Sequence, residues 1–194
     1  SMEAGLKTGL TTSPHIHRFS ERIRIGGRPV EDRIIAAAFE TIEQERGETT
    51  LTYFEFASLA AMVIFKSEAL DVAILEIGLG GRLDAMNVVD PDISVVLPIA
   101  LDHQEYLGDS REQIGGEKAG ILRPRQPAVI ADPDPPLSLI EAANSASVVA
   151  RYGREFGWED DRLWWSKDGE IIEVSQKAPK LPPISLAAAM QTAA

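Results

Sequence analysis

The sequence contains no cysteine, and this absence excludes several kinds of functional site. Disulfide bonds, thiolate catalysis and cysteine-ligated zinc or iron–sulfur centres all require that residue. The lack of cysteine is also compatible with a reducing cytoplasm. Since histidine occurs only three times, a metal ion in this protein would be held mainly by oxygen ligands, with imidazole as the alternative.

Long apolar runs and an excess of positive charge are missing too. No stretch approaches the roughly 18 apolar residues that span a bilayer, and no secretory signal follows Ser1-Met2, which resembles a cloning remnant. The 30 acidic and 19 basic residues give a formal charge of −11, which disfavours nucleic acid as a partner. We therefore expect a globular chain of one domain or slightly more, with neither a membrane nor a nucleic acid as partner.

Hydrophobic periodicity predicts alternating helices and strands in the first 145 residues. Apolar positions at 3.6-residue spacing predict the helices, and Thr52 with Glu55 predicts a capping box at the start of the second one. Short apolar runs predict the strands. Runs 72–77 and 93–99 have the composition of strands buried on both faces. The predicted helices are 30–46, 52–65 and 109–121, and the predicted strands are 72–77, 93–99 and 128–131. Segments 6–11 and 22–25 are expected to be strands or extended loop. This order predicts an α/β fold with a mostly parallel sheet flanked by helices.

The pattern changes near residue 148. Short β-like segments at 148–152, 162–166 and 171–174 predict a small antiparallel appendage, with Lys167-Asp168-Gly169 as a hairpin turn. The last residues are rich in helix formers. The predicted organisation is an α/β central domain over 3–147, a small antiparallel segment of the same domain over 148–177, and a linker with the start of a helix over 178–194.

Four polar residues are candidates for a functional site, and three of them lie near the carboxyl ends of strands, where functional groups are expected in an α/β sheet. Ser13 follows the first strand, Glu76 lies near the end of run 72–77, and His103 follows run 93–99 after a short connection. Lys118 lies on the last turns of the third predicted helix. Each also has a structural explanation: a polar turn, a solvated strand end or a pair with Arg82, a structural histidine, and a cation at a helix C-terminus.

The common placement of three of these residues favours a functional interpretation. Ser13, Glu76 and His103 follow strands that are expected to be neighbours in one sheet. A carboxylate embedded in an apolar run, such as Glu76, costs on the order of several kcal/mol unless it is paired or bound to metal. A hydroxyl, a carboxylate and an imidazole around one point suggest a divalent cation, and Mg²⁺ serving a nucleotide phosphate is the natural candidate.

Several motifs occur together in an order that is highly specific in combination. They are Thr12-Ser13-Pro14-His15, Arg18-Phe19-Ser20-Glu21-Arg22-Ile23, Thr52-Tyr53-Phe54-Glu55-Phe56, the run from Leu75 to Ala85 with Asn87, Leu101-Asp102-His103, Leu107-Gly108 and Glu117-Lys118-Ala119-Gly120-Ile121. In order and spacing they resemble the folylpolyglutamate synthases, including the bifunctional dihydrofolate synthases, of the Mur ligase superfamily. The resemblance covers residues 5–130 and is loose beyond them.

The resemblance implies a Mur-ligase-like central domain of a monomeric, ATP-dependent amide ligase in folate metabolism. In that reaction ATP phosphorylates the carboxylate of dihydropteroate or folate, and the amine of L-glutamate attacks the acyl phosphate. The resemblance implies Mg²⁺ and ATP at the site, with Ser13, Glu76 and His103 as magnesium ligands. It further implies that Lys118 is carried as a carbamate that holds a second magnesium, so that Lys118 and His103 are catalytic.

The resemblance also implies a pterin pocket, lined by Thr52, Phe54, Asp84 and Ala85. Phe54 would offer an aromatic face, and Asp84 would accept hydrogen bonds from ring N–H groups. Ordinary helix packing remains an alternative role for Phe54.

Two departures from the family pattern bear on activity. No Gly-x-x-x-x-Gly-Lys-[Ser/Thr] phosphate loop occurs in the sequence, and the C-terminal ligase domain of the family is missing. The chain is therefore expected to be a fragment that is inactive alone. Smaller departures are Met86, where threonine is usual, and Gln104-Glu105. Two other functions stay open: a non-catalytic α/β binding or scaffold module, and a Mur-type ligase of a cell-wall precursor, which Thr-Tyr-Phe-Glu-Phe disfavours.

Overall fold

The computed structural model describes residues 5–175, 177 and 182–194. Ser1-Met2 and most of the predicted linker lie outside these residues. The chain divides into two compact units: the first runs to Leu79 and includes Asp84–Val88, and the second contains Gly80–Leu83 and Val89–Ala194. Within the described ranges, the helices are too short or too polar to cross a bilayer.

The first unit contains a four-stranded sheet. Its central strand, β1, pairs antiparallel with β2 on one side and parallel with β4 on the other, so that the sheet order is β3-β2-β1-β4. The two glycines that join β2 to β3, Gly26 and Gly27, both have positive φ, as a tight hairpin turn requires. The strands are β1 (Thr8–Thr11), β2 (Ile23–Ile25), β3 (Arg28–Pro29) and β4 (Val72–Leu75).

Two helices cover this sheet, α1 (Asp32–Glu45) and α2 (Tyr53–Ser67). Their apolar faces form one buried cluster with Ile23 of β2. The predicted capping box at the start of α2 is confirmed: Thr52 Oγ1 accepts a hydrogen bond from the Glu55 amide, and the Glu55 carboxylate accepts one from the Thr52 amide. Both predicted helices are thus confirmed, with ends that differ by a few residues.

Strand β4 differs from its prediction in burial. The composition of run 72–77 predicted a strand buried on both faces, yet Ala73 and Ile74 are exposed. Among the described residues β4 lies at the edge of its sheet, with a ladder to β1 on one side. An apolar run shows that a strand is compatible with burial, but the neighbouring elements decide whether it is covered.

The second unit is built on a parallel three-stranded sheet of order β5-β6-β7. Its strands are β5 (Ser94–Val96), β6 (Ala128–Ile130) and β7 (Val149–Arg151), and its helices are α3 (Gln104–Leu107), α4 (Arg111–Ala119) and α5 (Leu137–Ala143). Strand β6 confirms the short buried strand predicted at 128–131, and it is buried on both faces, because Val129 belongs to one core cluster and Ile130 to another. Segment 148–152 was expected in the antiparallel appendage, and this prediction is wrong, since β7 pairs parallel with β6.

An antiparallel sheet of order β10-β9-β8 confirms the predicted appendage. Its strands are β8 (Phe156–Glu159), β9 (Arg162–Lys167) and β10 (Glu170–Ser175). Asp168 and Gly169 have φ of 53° and 82° at the β9–β10 turn, as a two-residue primed turn requires. The last helix, α6 (Pro183–Thr192), packs on this sheet, and its Gln191 amide exchanges two hydrogen bonds with the Ser166 backbone.

Candidate functional site

Ser13 and Glu76 lie side by side where two neighbouring parallel strands end. Thr11 at the end of β1 is in register with Leu75 at the end of β4. One residue further on, the Glu76 amide donates to Thr11 Oγ1 at 3.1 Å, and Glu76 Oε2 accepts a hydrogen bond from the Ser13 amide at 2.6 Å. The prediction that these two residues follow neighbouring strands is confirmed.

The carboxylate of Glu76 is exposed, which differs from the embedded charge that the sequence predicted. Strand β4 ends at Leu75, so that Glu76 lies just beyond it. The cost of burying a charge therefore gives no argument for function here. The oxygen chemistry does fit a hard cation, because a hydroxyl and one accessible carboxylate leave room for the waters that Mg²⁺ retains.

Phe54 and Asp84 come together at Gly78. A Cβ atom on Gly78 would lie under 3.0 Å from ring atoms of Phe54, so the glycine lets the backbone lie directly against that ring. Asp84 Oδ2 accepts hydrogen bonds from the Gly78 and Leu79 amides, at 3.0 and 2.9 Å, and Asp84 Oδ1 accepts one from the Met86 amide. The structure thus gives Asp84 a backbone-capping role, which leaves its predicted contact with a heterocyclic ring untested.

The other two residues of the predicted pocket have local structural roles. Thr52 caps α2, two residues before Phe54. Ala85 is half-buried and opens the short 3₁₀ helix Ala85–Val88 that follows Asp84. Thr52 and Ala85 thus belong to the segments that carry Phe54 and Asp84. Neither structural role requires a ligand.

A small cavity beside Phe54 is lined by a serine hydroxyl that the sequence did not indicate as functional. Ser58 lies one turn after Phe54 on α2, is 1% exposed, and has no hydrogen-bond partner for its Oγ atom among the described residues. The cavity has a volume of about 10 Å³, about the room of one water molecule, and Ser13 and Glu76 also line it. A serine in an otherwise apolar helix face gives no sequence signal of such an unpartnered group.

Replacing Ser58 by alanine is expected to raise the free energy of unfolding by about 1 kcal/mol, because it removes a buried hydroxyl without a partner. Ser67→Ala is the matched control on α2, since the Ser67 hydroxyl donates to the Ile64 carbonyl at 2.7 Å, and we expect it to be neutral or destabilising. Urea denaturation of the two variants measures both effects. A loss of stability in Ser58→Ala would show that its hydroxyl is satisfied in solution.

The loop after Ser13 is held by Glu21, whose carboxylate accepts three backbone hydrogen bonds. The donors are the amides of Ile16, His17 and Arg18, at 2.7 to 2.9 Å. These bonds, with that of Ile16 the largest contribution, lower the pKa of Glu21 to about 2. The sequence motif contained this residue, but a single carboxylate in a loop does not indicate which amides it will bind.

The low pKa of Glu21 predicts an acid-labile loop. A carboxyl group whose pKa is lower in the folded than in the unfolded state stabilises the fold above the unfolded value, here 4.5, and the stabilisation is lost as the pH falls towards about 2. Glu21→Gln is therefore expected to be less stable than the parent at pH 6, with a difference that shrinks on acidification. Thermal unfolding from pH 6 to pH 2 tests this, with exposed Glu45→Gln as the control. A pH-independent difference would contradict it.

Arg22 is oriented by aromatic and imidazole contacts on the same loop. Its guanidinium carbon lies 5.4 Å from the ring centroid of Tyr53 and 5.9 Å from that of Phe19. Arg22 Nε donates to His15 Nδ1 at 2.7 Å, which fixes the tautomer of His15 with its proton on Nε2. Arg22 is also one of the residues that line the small cavity beside Ser58.

His103 begins α3 in the second unit and has a left-handed backbone, with φ of 51°. Its side chain is 56% exposed, and Nε2 lies 3.7 Å from a carboxylate oxygen of Asp102. A left-handed conformation is uncommon for a non-glycine residue, although histidine adopts it more often than most. The expectation that the strand before His103 shares a sheet with β1 and β4 is wrong, because β5 pairs with β6 in a separate sheet.

Lys118 lies in the last turn of α4 and is half-buried. Within the part of the chain that the structure describes, its ammonium pairs with no carboxylate, although Glu117 beside it pairs with Arg82 at 2.9 Å. Glu117 also accepts a hydrogen bond from the Arg82 amide. The possible Glu76–Arg82 pair weighed from the sequence thus gives way to an Arg82–Glu117 pair.

The structure brings predicted site residues together within the first unit. Ser13 with Glu76, and Phe54 with Asp84, form pairs in the first unit, whereas His103 and Lys118 belong to the second unit. Among the described residues, no group of three or more His, Asp and Glu side chains is arranged to hold a metal ion. The full ligand set of Ser13, Glu76, His103 and Lys118 therefore stays a prediction.

The parallel β5–β7 sheet, the flanking helices and the antiparallel appendage define a Mur-ligase-like α/β protein. Over nearly all of its length the chain is a homologue of dihydrofolate synthase/folylpolyglutamate synthase. It is 42% identical over 191 residues to the enzyme of that name from Escherichia coli, a match that covers 97% of this chain and 45% of the relative. No family model matches the sequence.

Solved structures agree with this relationship. The structure described as E. coli FolC in complex with DHPP and ADP has a TM-score of 0.91 and 41% identity, covering 97% of this chain and 46% of that one. A structure described as bifunctional folylpolyglutamate synthase/dihydrofolate synthase with Mn, AMPPNP and L-glutamate bound has a TM-score of 0.89 and 40% identity, covering 97% of this chain and 47% of that one. The chain thus spans about half the length of the relatives it matches.

Proposed function

We propose that this chain forms the central α/β part of an ATP-dependent amide ligase that adds L-glutamate to dihydropteroate, to folate, or to both. The observation that carries the proposal is the 42% identity to dihydrofolate synthase/folylpolyglutamate synthase over 191 residues. The contact between the Ser13 amide and the Glu76 carboxylate, just beyond the ends of β1 and β4, supports it from the structure. Solved relatives with ADP, or with Mn, AMPPNP and L-glutamate, support the nucleotide and a divalent metal.

The proposed reaction has two steps. An oxygen of the acceptor carboxylate attacks the γ-phosphorus of ATP, the bond to the bridging oxygen breaks, and ADP leaves with its electrons. The amine of L-glutamate then attacks the acyl carbonyl, loses a proton, and expels inorganic phosphate, so that an amide forms. Both steps bring negatively charged groups together and require fixed positive charge around them.

The residues of this chain would bind and orient the reactants. Ser13 and Glu76 would hold Mg²⁺ together with His103, and Lys118, as a carbamate, would hold a second ion. Bound Mg²⁺ would supply charge neutralisation at the phosphate oxygens. Phe54 would stack on the heterocycle of the acceptor, with Asp84 at the ring edge, in the pocket that Thr52 and Ala85 flank.

The experiment measures ATP hydrolysis coupled to L-glutamate addition, with dihydropteroate and then a reduced folate as acceptor. A longer protein that contains this chain is compared with the chain alone. We expect activity in the longer protein and none in the chain alone, because the phosphate-loop motif is missing from this sequence. Inactivity of the longer protein with both acceptors would contradict the proposal and favour the scaffold function or a Mur-type ligase with another acceptor.

We also propose that the longer protein is a cytoplasmic monomer. The absence of cysteine fits a reducing compartment. Sedimentation analysis measures the oligomeric state, and cell fractionation measures the compartment.

A further inference from the structure

A buried carboxylate that the proposed chemistry does not use lies at the end of β6. Asp132 comes two residues after Ile130, and its side chain is 3% exposed. Its Oδ2 atom accepts hydrogen bonds from the Ile99 amide at 2.7 Å and from Arg111 at 3.0 Å, and its Oδ1 atom accepts one from the Asp134 amide at 2.8 Å. Asp132 thus follows a buried strand, where functional side chains are expected, but it belongs to none of the motifs described above.

Arg111, the first residue of α4, binds the same segment from the other side. Its Nε atom donates to the Ile99 carbonyl at 2.9 Å, and its terminal nitrogens reach Asp132 and the Asp134 carbonyl. Together the two side chains satisfy both peptide groups of Ile99. We call this arrangement, Arg111 and Asp132 around Ile99, the Ile99 clamp.

The Ile99 clamp lies four residues before His103. Ile99 is 5% exposed and packs in the core of the second unit, so its side chain and both of its peptide groups are fixed. Further along the chain, the His103 carbonyl is held in place because it accepts hydrogen bonds from the amides of Tyr106 and Leu107 in α3. Residues 100–102 therefore connect two fixed residues, Ile99 and His103, and the position of Ile99 constrains the left-handed backbone of His103.

We propose that Arg111 and Asp132 are positioning residues for His103, acting through the peptide groups of Ile99. The proposal rests on the proposed function in one respect, that His103 serves the magnesium site. A buried ion pair is weak evidence for stability, because apolar residues of similar volume are often as stable in its place. Apolar side chains in place of Arg111 and Asp132 could not bind the Ile99 amide and carbonyl, so the proposed role concerns the geometry of the segment before His103 and not the stability of the fold.

The first test measures hydrogen–deuterium exchange in this chain and needs no metal or substrate. Asp132→Ala and Asp132→Asn are expected to speed exchange of the Ile99 amide and of segment 100–107 by about tenfold or more, since a buried donor loses its acceptor. Asp134→Asn removes only the ion pair of Arg111 with a 94% exposed partner and is expected to change exchange little. Leu163→Ala, in a core cluster that does not contain Ile99, is the control for general loss of stability.

Two outcomes of the exchange experiment would overturn the proposal. One is unchanged exchange in segment 100–107 when Asp132 is replaced. The other is an equal rise in Leu163→Ala at matched unfolding temperature, which would show that only global stability matters. Arg111→Lys is expected to give an intermediate rise, because an ammonium ion does not reproduce the two-sided guanidinium contact.

The second test links the Ile99 clamp to the site in the longer, active protein. Asp132→Ala is expected to raise the apparent Mg²⁺ requirement about tenfold while the KM for L-glutamate changes little. The same substitution made in a His103→Ala background is expected to add little, because residues that act through one another are not additive. Full additivity would overturn the positioning role. Inactivity of the wild-type longer protein would instead contradict the proposed function, and the exchange result on the clamp would stand by itself.

Discussion

Replacing Glu76 by glutamine in the longer protein is expected to lower magnesium-dependent turnover by about 100-fold or more. Glutamine retains an oxygen that can accept the hydrogen bond of the Ser13 amide, now 2.6 Å from Glu76 Oε2, but it removes the negative charge that would hold the cation. Because Glu76 is exposed, we expect little change in the unfolding temperature. Coupled ATP hydrolysis at several Mg²⁺ concentrations measures the loss, and binding of Mn²⁺ followed by electron paramagnetic resonance gives a readout that does not depend on activity.

The matched control is Glu68→Gln. Glu68 belongs to the same unit and pairs with Lys7 at 2.7 Å on the surface, so the same chemical change is made away from the candidate site. We expect near-normal turnover and near-normal Mn²⁺ binding in this variant. Normal turnover in Glu76→Gln, or an equal loss in both variants, would contradict the assignment of Glu76 as a metal ligand.

Local sequence signals predicted the elements whose structure depends on near neighbours. The Thr52–Glu55 capping box starts α2, and Asp168-Gly169 forms the primed turn of the last hairpin. In both cases the interacting groups lie within a few residues of each other, so the pattern contains the whole interaction. Helix α5 gave no such signal, because its N-terminal amides are capped by Glu112 of α4, about 25 residues away. The hydrogen bond from the Ser138 amide, which has the largest effect, and the one from the Leu137 amide lower the pKa of Glu112.

Strand pairing is the part of the fold that the sequence left open. The rule that functional side chains meet at the carboxyl ends of neighbouring strands placed Ser13 and Glu76 correctly, because β1 and β4 are paired in parallel. The same rule failed for the strand before His103, because β5 forms its ladder with β6. Apolar runs identify strands, but the ladder partner of each strand depends on contacts far apart in the sequence.

Candidate site residues with partners far away in the sequence were missed for the same reason. Asp132 binds Ile99 and Arg111, which lie 33 and 21 residues before it. Ser58 is notable because it lacks a partner among the described residues, which only a packed structure can reveal. The sequence therefore predicted the residues that a motif contains, and the structure added those that hold the motif in place.

The glycine cluster after Glu76 illustrates a close approach that a motif alone does not explain. Gly81 lies against the last turn of α4, where a Cβ atom would come within 2.8 Å of the Glu117 carbonyl oxygen and 2.9 Å of that of Lys118. Both carbonyl oxygens belong to the backbone of α4, so they cannot move away by a change of side-chain rotamer. Gly81 is thus required by the helix turn that carries Lys118.

Gly81→Ala is accordingly expected to lower the free energy of unfolding by about 2 to 3 kcal/mol, because the added methyl group displaces backbone of α4. Gly116→Ala is the matched control in α4 itself, where a Cβ atom meets nothing within 4 Å. It is expected to raise stability by about 0.5 to 1 kcal/mol, as alanine does in place of glycine in a helix. Urea denaturation measures both changes. Equal effects of the two substitutions would show that Gly81 does not support the Lys118 turn, whereas opposite signs, with turnover in the longer protein lost in Gly81→Ala alone, would show that it does.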